Sequence, residues 1–188
     1  MPSVPRLLAF AGSVRRESLN RKFLAVAVDA AREAGAEVTL LDLRDFALPL
    51  YDGDLEDASG LPENAQKLIG LVAGHHGLLV ASPEYNGMVT PLLKNTIDWC
   101  TRGETNPFEG KTAAVISASP GAYGGSRSLA LAQQLLLKLG CHVLPGQTAL
   151  PQAGKAFDAE GKLTDARAQK SVQALAVALV AATKKLSA

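Results

Sequence analysis

The sequence predicts an α/β protein in which a doubly wound parallel β-sheet is covered by helices on both faces. Short apolar stretches alternate five times with segments of helical periodicity along the 188 residues. The apolar stretches are continuous, not polar at every second position, and this is typical of parallel strands that are buried on both faces. The chain has 47% hydrophobic and 20% charged residues, a composition typical of globular proteins. Its length is enough for one sizeable core, so we expect a single domain over residues 1–188.

The first half of the chain is predicted to contain three strands and two helices. Apolar residues recur every three or four positions from Leu19 to about Ala34, and Gly35 follows where a helix C-cap is expected. Pro62, near a first turn, and Glu63, at the positive end of the helix dipole, indicate the start of the second helix. In order, the elements are a strand in "RLLAFAG", a helix over 19–34, a strand "EVTLLDL" over 37–43, an irregular connection over 44–60, a helix over 62–73 and a strand in "GLLVASP".

The second half continues the same alternation and fixes the expected topology. Its elements are a helix beginning at Pro91, a strand over 111–119, a helix in "SLALAQQLLLKLG" that ends at Gly140, a fifth strand in "CHVLPGQTAL" interrupted at Pro145, and a last helix over 166–186. Because crossovers between parallel strands are right-handed, few topologies remain. The flavodoxin-like strand order 2-1-3-4-5 suits five strands in a chain of this size.

Composition argues against several classes of function. The chain has 19 Lys and Arg residues and 18 Asp and Glu residues, so it lacks the large net positive charge that would attract nucleic acid. The only two cysteines, Cys100 and Cys141, are too few for a disulfide framework and are predicted to be free buried thiols. Neither these cysteines nor the adjacent His75 and His76 have metal-ligand spacing, and no G-x-S-x-G supports a hydrolase. Without a signal-peptide pattern or a membrane-length apolar run, we expect a cytoplasmic protein.

The loop after the first strand, "GSVRRESLN", has the composition of a phosphate site. It contains three hydrogen-bonding side chains and two cations: Ser13, Ser18, Asn20, Arg15 and Arg16. The free amides at the start of the following helix add to an anion site. The loop matches neither the Walker pattern nor G-x-G-x-x-G, so a terminal monophosphate such as that of FMN fits it better than ATP or NAD. The alternative is that Ser18 is only an N-cap and that the arginines are solvated.

The loops after the third and fourth strands would meet the first at the carboxyl edge of the sheet. In "SPEYNG", Pro83 ends the strand, Tyr85 offers a flat apolar surface, and the Asn-Gly pair lets backbone amides approach a planar heteroaromatic such as a flavin. The alternative is an ordinary Asn-Gly turn with Tyr85 half-buried in the core. In "SASPGAYGGSRS", Ser117 and Ser119 are possible hydrogen-bonding groups, although a simple strand-to-helix turn is equally compatible.

These stretches resemble the NAD(P)H-dependent FMN reductases, a family with the flavodoxin-like fold that includes quinone, azo-compound and chromate reductases. The matching stretches are "GSVRRESLN" and "SPEYNGMVTPLLKNTIDW", and the order of elements agrees over nearly the whole chain. The resemblance implies that FMN is held by residues of all three loops. Those implied for the phosphate are Ser13, Arg15, Ser18 and Asn20; those for the isoalloxazine are Pro83, Glu84, Tyr85, Asn86 and Gly87; the third loop would add Ser117 and Gly121.

The resemblance also implies the reaction. Hydride would pass from NADPH or NADH to the flavin, and two electrons would then pass to a quinone, an azo compound, a metal oxyanion or free flavin, with no catalytic side chain required. Members are usually homodimers or homotetramers, which we expect here, with the helix after Pro91 and the loop around Tyr123 and Arg127 at the contact. A flavodoxin-type electron carrier or a redox sensor is the alternative. The near-neutral charge favours the enzyme, because such carriers are commonly acidic.

Overall fold

The computed structural model describes residues 4–187 and has a parallel sheet at its centre. The strands of the chain are β1 (Arg6–Ala11), β2 (Glu37–Leu41), β3 (Gly77–Ala81), β4 (Glu84–Tyr85), β5 (Met88–Val89), β6 (Thr112–Ala118), β7 (His142–Val143) and β8 (Thr148–Leu150). In the central sheet the order is β2-β1-β3-β6, and both β7 and β8 pair in parallel with β6. Since β7 lies beside the start of β6 and β8 beside its end, together they form the interrupted fifth strand, and the order 2-1-3-4-5 is confirmed.

Helices cover both faces of this sheet, as predicted. They are α1 (Leu19–Glu33), α2 (Gly53–Ser59), α3 (Glu63–Ala73), α4 (Pro91–Cys100), α5 (Ser126–Lys138) and α6 (Ala166–Leu186). In β1, Leu7 and Ala9 pack into one hydrophobic cluster with residues of α1 and α6, whereas Leu8 and Phe10 pack into another with residues of α3, α4 and α5. Successive side chains of a strand point to opposite faces, so an unbroken apolar strand supplies both cores.

The connection after β2 is more ordered than the sequence predicted. We expected β2 to reach Leu43, but it ends at Leu41 because the Asp42 carboxylate accepts a hydrogen bond from the Arg44 amide (3.1 Å) and starts a 3-10 helix over Leu43–Phe46. The short helix α2 begins in the same way at Asp52 and buries none of its residues. These two short helices are stabilised by their N-caps and lack the apolar periodicity from which a helix is predicted.

The "SPEYNG" stretch forms a small β-hairpin between β4 and β5. Asn86 and Gly87 are its two turn residues, and both have positive φ angles, 53° and 79°, as a type I′ turn requires. The Asn-Gly turn of the alternative interpretation is therefore present, but Tyr85 does not lie in the core, since 51% of its surface is exposed and it belongs to neither hydrophobic cluster. The hairpin extends the second loop outward from the end of β3.

Within residues 4–187, no helix is both long and apolar enough to cross a membrane.

Candidate cofactor-binding site at the carboxyl edge of the sheet

Three loops begin side by side at the carboxyl edge of the sheet. In register, Ala11 at the end of β1 pairs with Ala81 at the end of β3, which pairs with Ile116 near the end of β6. We define the first loop as residues 12–20, the second as 82–90 and the third as 117–128. Strand order reverses between β1 and β3, and ligands of doubly wound proteins bind at such a point.

A cavity of about 90 Å³ lies where these loops meet. It brings together the four first-loop residues that the resemblance implied and three residues of the second loop with the end of β6, whereas Arg16 lines a different cavity. Its lining consists of Ser13, Arg15, Ser18, Leu19, Asn20, Pro83, Glu84, Tyr85, Ala118, Ser119 and Pro120. The first loop contributes hydroxyls and a cation to this lining, and the second contributes proline and tyrosine, a combination that suits a phosphorylated planar ligand.

The first loop presents hydrogen-bond donors at the start of α1. Ser18 is the N-cap, its hydroxyl accepting from the Arg21 amide (3.3 Å), and the Ser13 hydroxyl accepts from the Arg15 amide (3.3 Å). Each hydroxyl still has its proton to donate. The amide of Leu19 lies in the first turn, ahead of the intrahelical bonds. The N-cap interpretation of Ser18 is thus correct, and the same geometry fits a phosphate.

The Asn20 side chain is bonded to the backbone at the end of β6. Its side-chain amide donates to the Ala118 carbonyl (2.7 Å) and its side-chain oxygen accepts from the Ala118 amide (3.0 Å). This pair of bonds joins the start of α1 to the end of β6. Because one amide N–H is already used, at most the other remains for a ligand.

The Glu84 carboxylate points toward helix α5. It accepts from the backbone amides of Arg127 (3.1 Å) and Ser128 (3.3 Å) and pairs with the Arg127 guanidinium (2.7 Å), and its side chain is only 8% exposed. Gly125 is the N-cap of α5 and has no side chain to cap it. A Cβ at Gly125 would overlap the Ser117 hydroxyl, so no larger residue fits at this N-cap and the capping group comes from another segment.

The remaining predicted residues do not line this cavity. Asn86 and Gly87 lie at the tip of the hairpin. Ser117 is fully buried, and its hydroxyl lacks a hydrogen-bond partner within the described part of the chain. The Gly121 carbonyl accepts from the Gln152 amide (3.0 Å), which ties the third loop to the segment after β8. Contacts of these four residues with a cofactor therefore stay predictions. Ser119, two positions beyond Ser117, reaches the cavity instead.

Thr90 is a residue whose importance the sequence analysis missed. Its hydroxyl donates to the Gly12 carbonyl (2.8 Å) and accepts from the Leu93 amide (3.2 Å), so it caps α4 and joins the second loop to the first. A Cβ at Gly12 would lie 2.9 Å from both the Thr90 hydroxyl and the Leu93 Cβ, so only glycine fits there. A threonine directly before Pro91 is a recognisable N-cap signal, but the bond to Gly12 is not visible in sequence.

A larger cavity of about 410 Å³ lies beside α1, between its outer surface and the end of β2. Two of its cations are already paired: Arg21 with Asp42 (2.8 Å) and Lys22 with Glu17 (2.9 Å). The Arg44 hydrogen bond, together with the charge of Arg21, lowers the pKa of Asp42 to about 2. Because these charges are neutralised within the chain and only the first of the three loops lines this cavity, the smaller cavity is the better candidate site.

Comparison with known proteins agrees with this geometry. The profile of the family described as "NADPH-dependent FMN reductase" matches residues 5–155. An NAD(P)H-dependent FMN reductase of Pseudomonas aeruginosa is 34% identical over 169 residues, which cover 89% of each chain. An NADPH:quinone oxidoreductase of Arabidopsis thaliana is 33% identical over 186 residues, covering 96% of this chain and 93% of the relative.

A solved structure has the same fold over nearly its whole length. It is FerB, a flavoenzyme NAD(P)H:(acceptor) oxidoreductase from Paracoccus denitrificans, with a TM-score of 0.83 and 33% identity over 97% of this chain and 98% of that one. The residues matched by the family profile include all three loops of the cavity. The chain therefore belongs to the NADPH-dependent FMN reductase family, and it is an oxidoreductase that uses FMN with NAD(P)H as co-substrate.

Proposed function

We propose that the protein transfers two electrons from NADPH or NADH, through FMN bound in the three-loop cavity, to a quinone, with free flavin, azo compounds and metal oxyanions as further acceptors. The observation that carries this proposal is the meeting of the first loop's donors with Pro83 and Tyr85 at one cavity. Quinone is the preferred acceptor because the related plant enzyme is named for it. When bound, FMN supplies the hydride-transfer chemistry.

The first loop would hold the phosphate. Ser13 and Ser18 have hydroxyl protons to donate, Arg15 supplies positive charge at the cavity wall, and the helix dipole of α1 adds partial positive charge. Asn20 contributes chiefly by fixing the start of α1 against β6. This arrangement supports the FMN phosphate contacts that the resemblance implied.

The second loop would line the ring. Pro83 is buried and Tyr85 is half-exposed, so an apolar wall continues from the cavity to its outer rim. Amides of Asn86 and Gly87 at the turn would face polar atoms of the ring edge, as the resemblance implied. An open rim leaves room for nicotinamide and acceptor in succession, and we expect ping-pong kinetics.

We further propose a homodimer or homotetramer in the cytoplasm. Three large apolar side chains of the second and third loops, Tyr85, Met88 and Tyr123, are more than half exposed. Together with α4 and the loop around Arg127, they are the surface that we propose for the subunit contact. Dependence on NAD(P)H and two free buried cysteines support the cytoplasmic location.

The test is an anaerobic absorption spectrum of the protein reconstituted with FMN, recorded before and after addition of NADPH and, separately, NADH. We expect a bound-flavin band that one nucleotide bleaches within seconds and that a quinone then restores. Arg15→Ala is expected to weaken FMN binding, while Arg32→Ala, a control at the far end of α1, is not. Bound flavin that neither nucleotide reduces would favour the electron carrier or sensor, and a protein that binds no FMN would contradict the proposal.

A further inference from the structure

The three loops are joined to one another in pairs by buried side chains. The Thr90 bridge joins the first loop to the second through the Gly12 carbonyl, and the Asn20 bridge joins the first to the third through Ala118. The Glu84 bridge joins the second to the third through the amides at the start of α5. Each loop thus takes part in two of the three bridges, so separating it from both neighbouring loops would break both.

We propose that Thr90, Asn20 and Glu84 are positioning residues, which hold the three loops in one arrangement before FMN binds. This inference rests on the proposed function only in naming FMN as the ligand. Thr90 and Asn20 are 2% and 5% exposed, so breaking their bonds leaves buried polar groups without partners. Loops that are ordered in advance do not have to be ordered on binding, and the ligand therefore binds more tightly.

A substitution at Thr90 can distinguish a positioning role from direct contact with the ligand. Asn20 and Glu84 line the cavity, so substitutions there would change both the bridges and the contacts with a ligand. Thr90 is not among the lining residues, and its hydroxyl is directed to Gly12 and Leu93. A change of FMN affinity in a Thr90 variant must therefore be transmitted through the loops.

The experiment compares three variants with the wild type. Thr90→Val nearly preserves the shape and removes the hydroxyl, whereas Thr90→Ser retains the hydroxyl and both of its bonds. Asp165→Ala is the stability control, because Asp165 caps α6 by accepting from the amides of Arg167 and Ala168 (both 3.0 Å) and lies outside the three loops. For each protein, the Kd for FMN is measured by flavin fluorescence titration, and hydrogen exchange of residues 12–20 is measured by mass spectrometry without FMN.

For Thr90→Val we expect a Kd for FMN about fivefold to tenfold higher, as for the loss of one buried hydrogen bond, and exchange in residues 12–20 faster by a similar factor. Thr90→Ser should restore both values to within about twofold of the wild type. Asp165→Ala should lower the melting temperature while leaving the Kd and the exchange of residues 12–20 within about twofold.

Several results would overturn the proposal. One is that residues 12–20 exchange in Thr90→Val at the wild-type rate. Another is that Thr90→Ser loses as much FMN affinity as Thr90→Val does. A third is that Asp165→Ala loses as much FMN affinity as Thr90→Val does. If the wild type bound no FMN, the proposed function would fail. The exchange comparison, made on the free protein, would still decide whether the bridges hold the loops.

Discussion

At the scale of single residues, several side chains of the cavity have one hydrogen bond within the fold and capacity left for a ligand. Ser13 and Ser18 accept bonds from backbone amides and keep a proton to donate. This explains why the N-cap and phosphate-binding interpretations of Ser18 are compatible. The sequence predicted these residues for the site, but it could not show the direction of their bonds, which depends on backbone dihedral angles in the loop.

Asp42 gives a pH-dependent prediction at this scale. Hydrogen bonding to Arg44 and the charge of Arg21 lower the pKa of the folded carboxyl to about 2, whereas the unfolded value is about 3.9. The carboxylate thus stabilises the fold above about pH 4, and this contribution is lost as the pH falls toward 2. Discounting for solvent screening, we expect Asp42→Asn to lower the free energy of unfolding by ~1 kcal/mol at pH 6.

Urea unfolding at pH 6, 4 and 2.5 checks this prediction. The difference between wild type and Asp42→Asn should narrow steadily as the pH falls. Asp29→Asn is the matched control, because the Asp29 side chain is 71% exposed and its contact with Arg32 is long (3.7 Å). A gap that stayed constant over this pH range would contradict the assigned role of the Asp42 charge.

At the scale of elements, the β4–β5 hairpin does two things. Its Asn-Gly turn exposes Tyr85 at the rim, and its first strand brings Glu84 to the start of α5. The sequence predicted the turn from local chemistry, since few residue pairs tolerate two consecutive positive φ angles. It could not predict the capping of α5, because Glu84 and Arg127 are 43 positions apart and meet only when β3 and β6 pair.

Removal of the Glu84 carboxylate should therefore destabilise α5. We expect Glu84→Ala to lower the free energy of unfolding by about 1–2 kcal/mol, as for the loss of a helix cap. Arg127→Ala keeps the bonds that the backbone amides donate to the carboxylate and removes only a largely exposed guanidinium, so it should cost less than ~1 kcal/mol. Urea titration of both variants is the measurement. Equal losses would show that the ion pair, and not the capping bonds, supplies the stability.

At the scale of the whole molecule, the doubly wound sheet brings loops that are far apart in sequence to one edge. It also buries Cys100 and Cys141 in the same hydrophobic cluster. Burial raises the pKa of Cys100 to about 12 and that of Cys141 to about 11, so both thiols are neutral near pH 8. A neutral buried thiol reacts slowly with alkylating reagents, because the thiolate is the nucleophile.

Labelling with iodoacetamide tests whether these thiols report on global unfolding. We expect negligible modification of the native protein over an hour at pH 8 and complete modification in denaturing urea. Between these limits, the labelling rate should follow the fraction unfolded, and saturating FMN should slow it by stabilising the folded state. Rapid modification of either thiol in the native protein, detected by mass spectrometry of peptides, would contradict its burial.

The fold class, the order of the strands and most of the residues that line the cavity could be predicted from the sequence alone. These follow from unbroken apolar strands, helical periodicity and local turn and cap chemistry, which act between residues near one another in the chain. The folded structure was needed to show that Thr90 joins the first two loops, that Asn20 bridges to Ala118, and that Glu84 caps α5. Those bonds depend on distances between segments that pairing of β1, β3 and β6 brings together, and no local pattern encodes such distances.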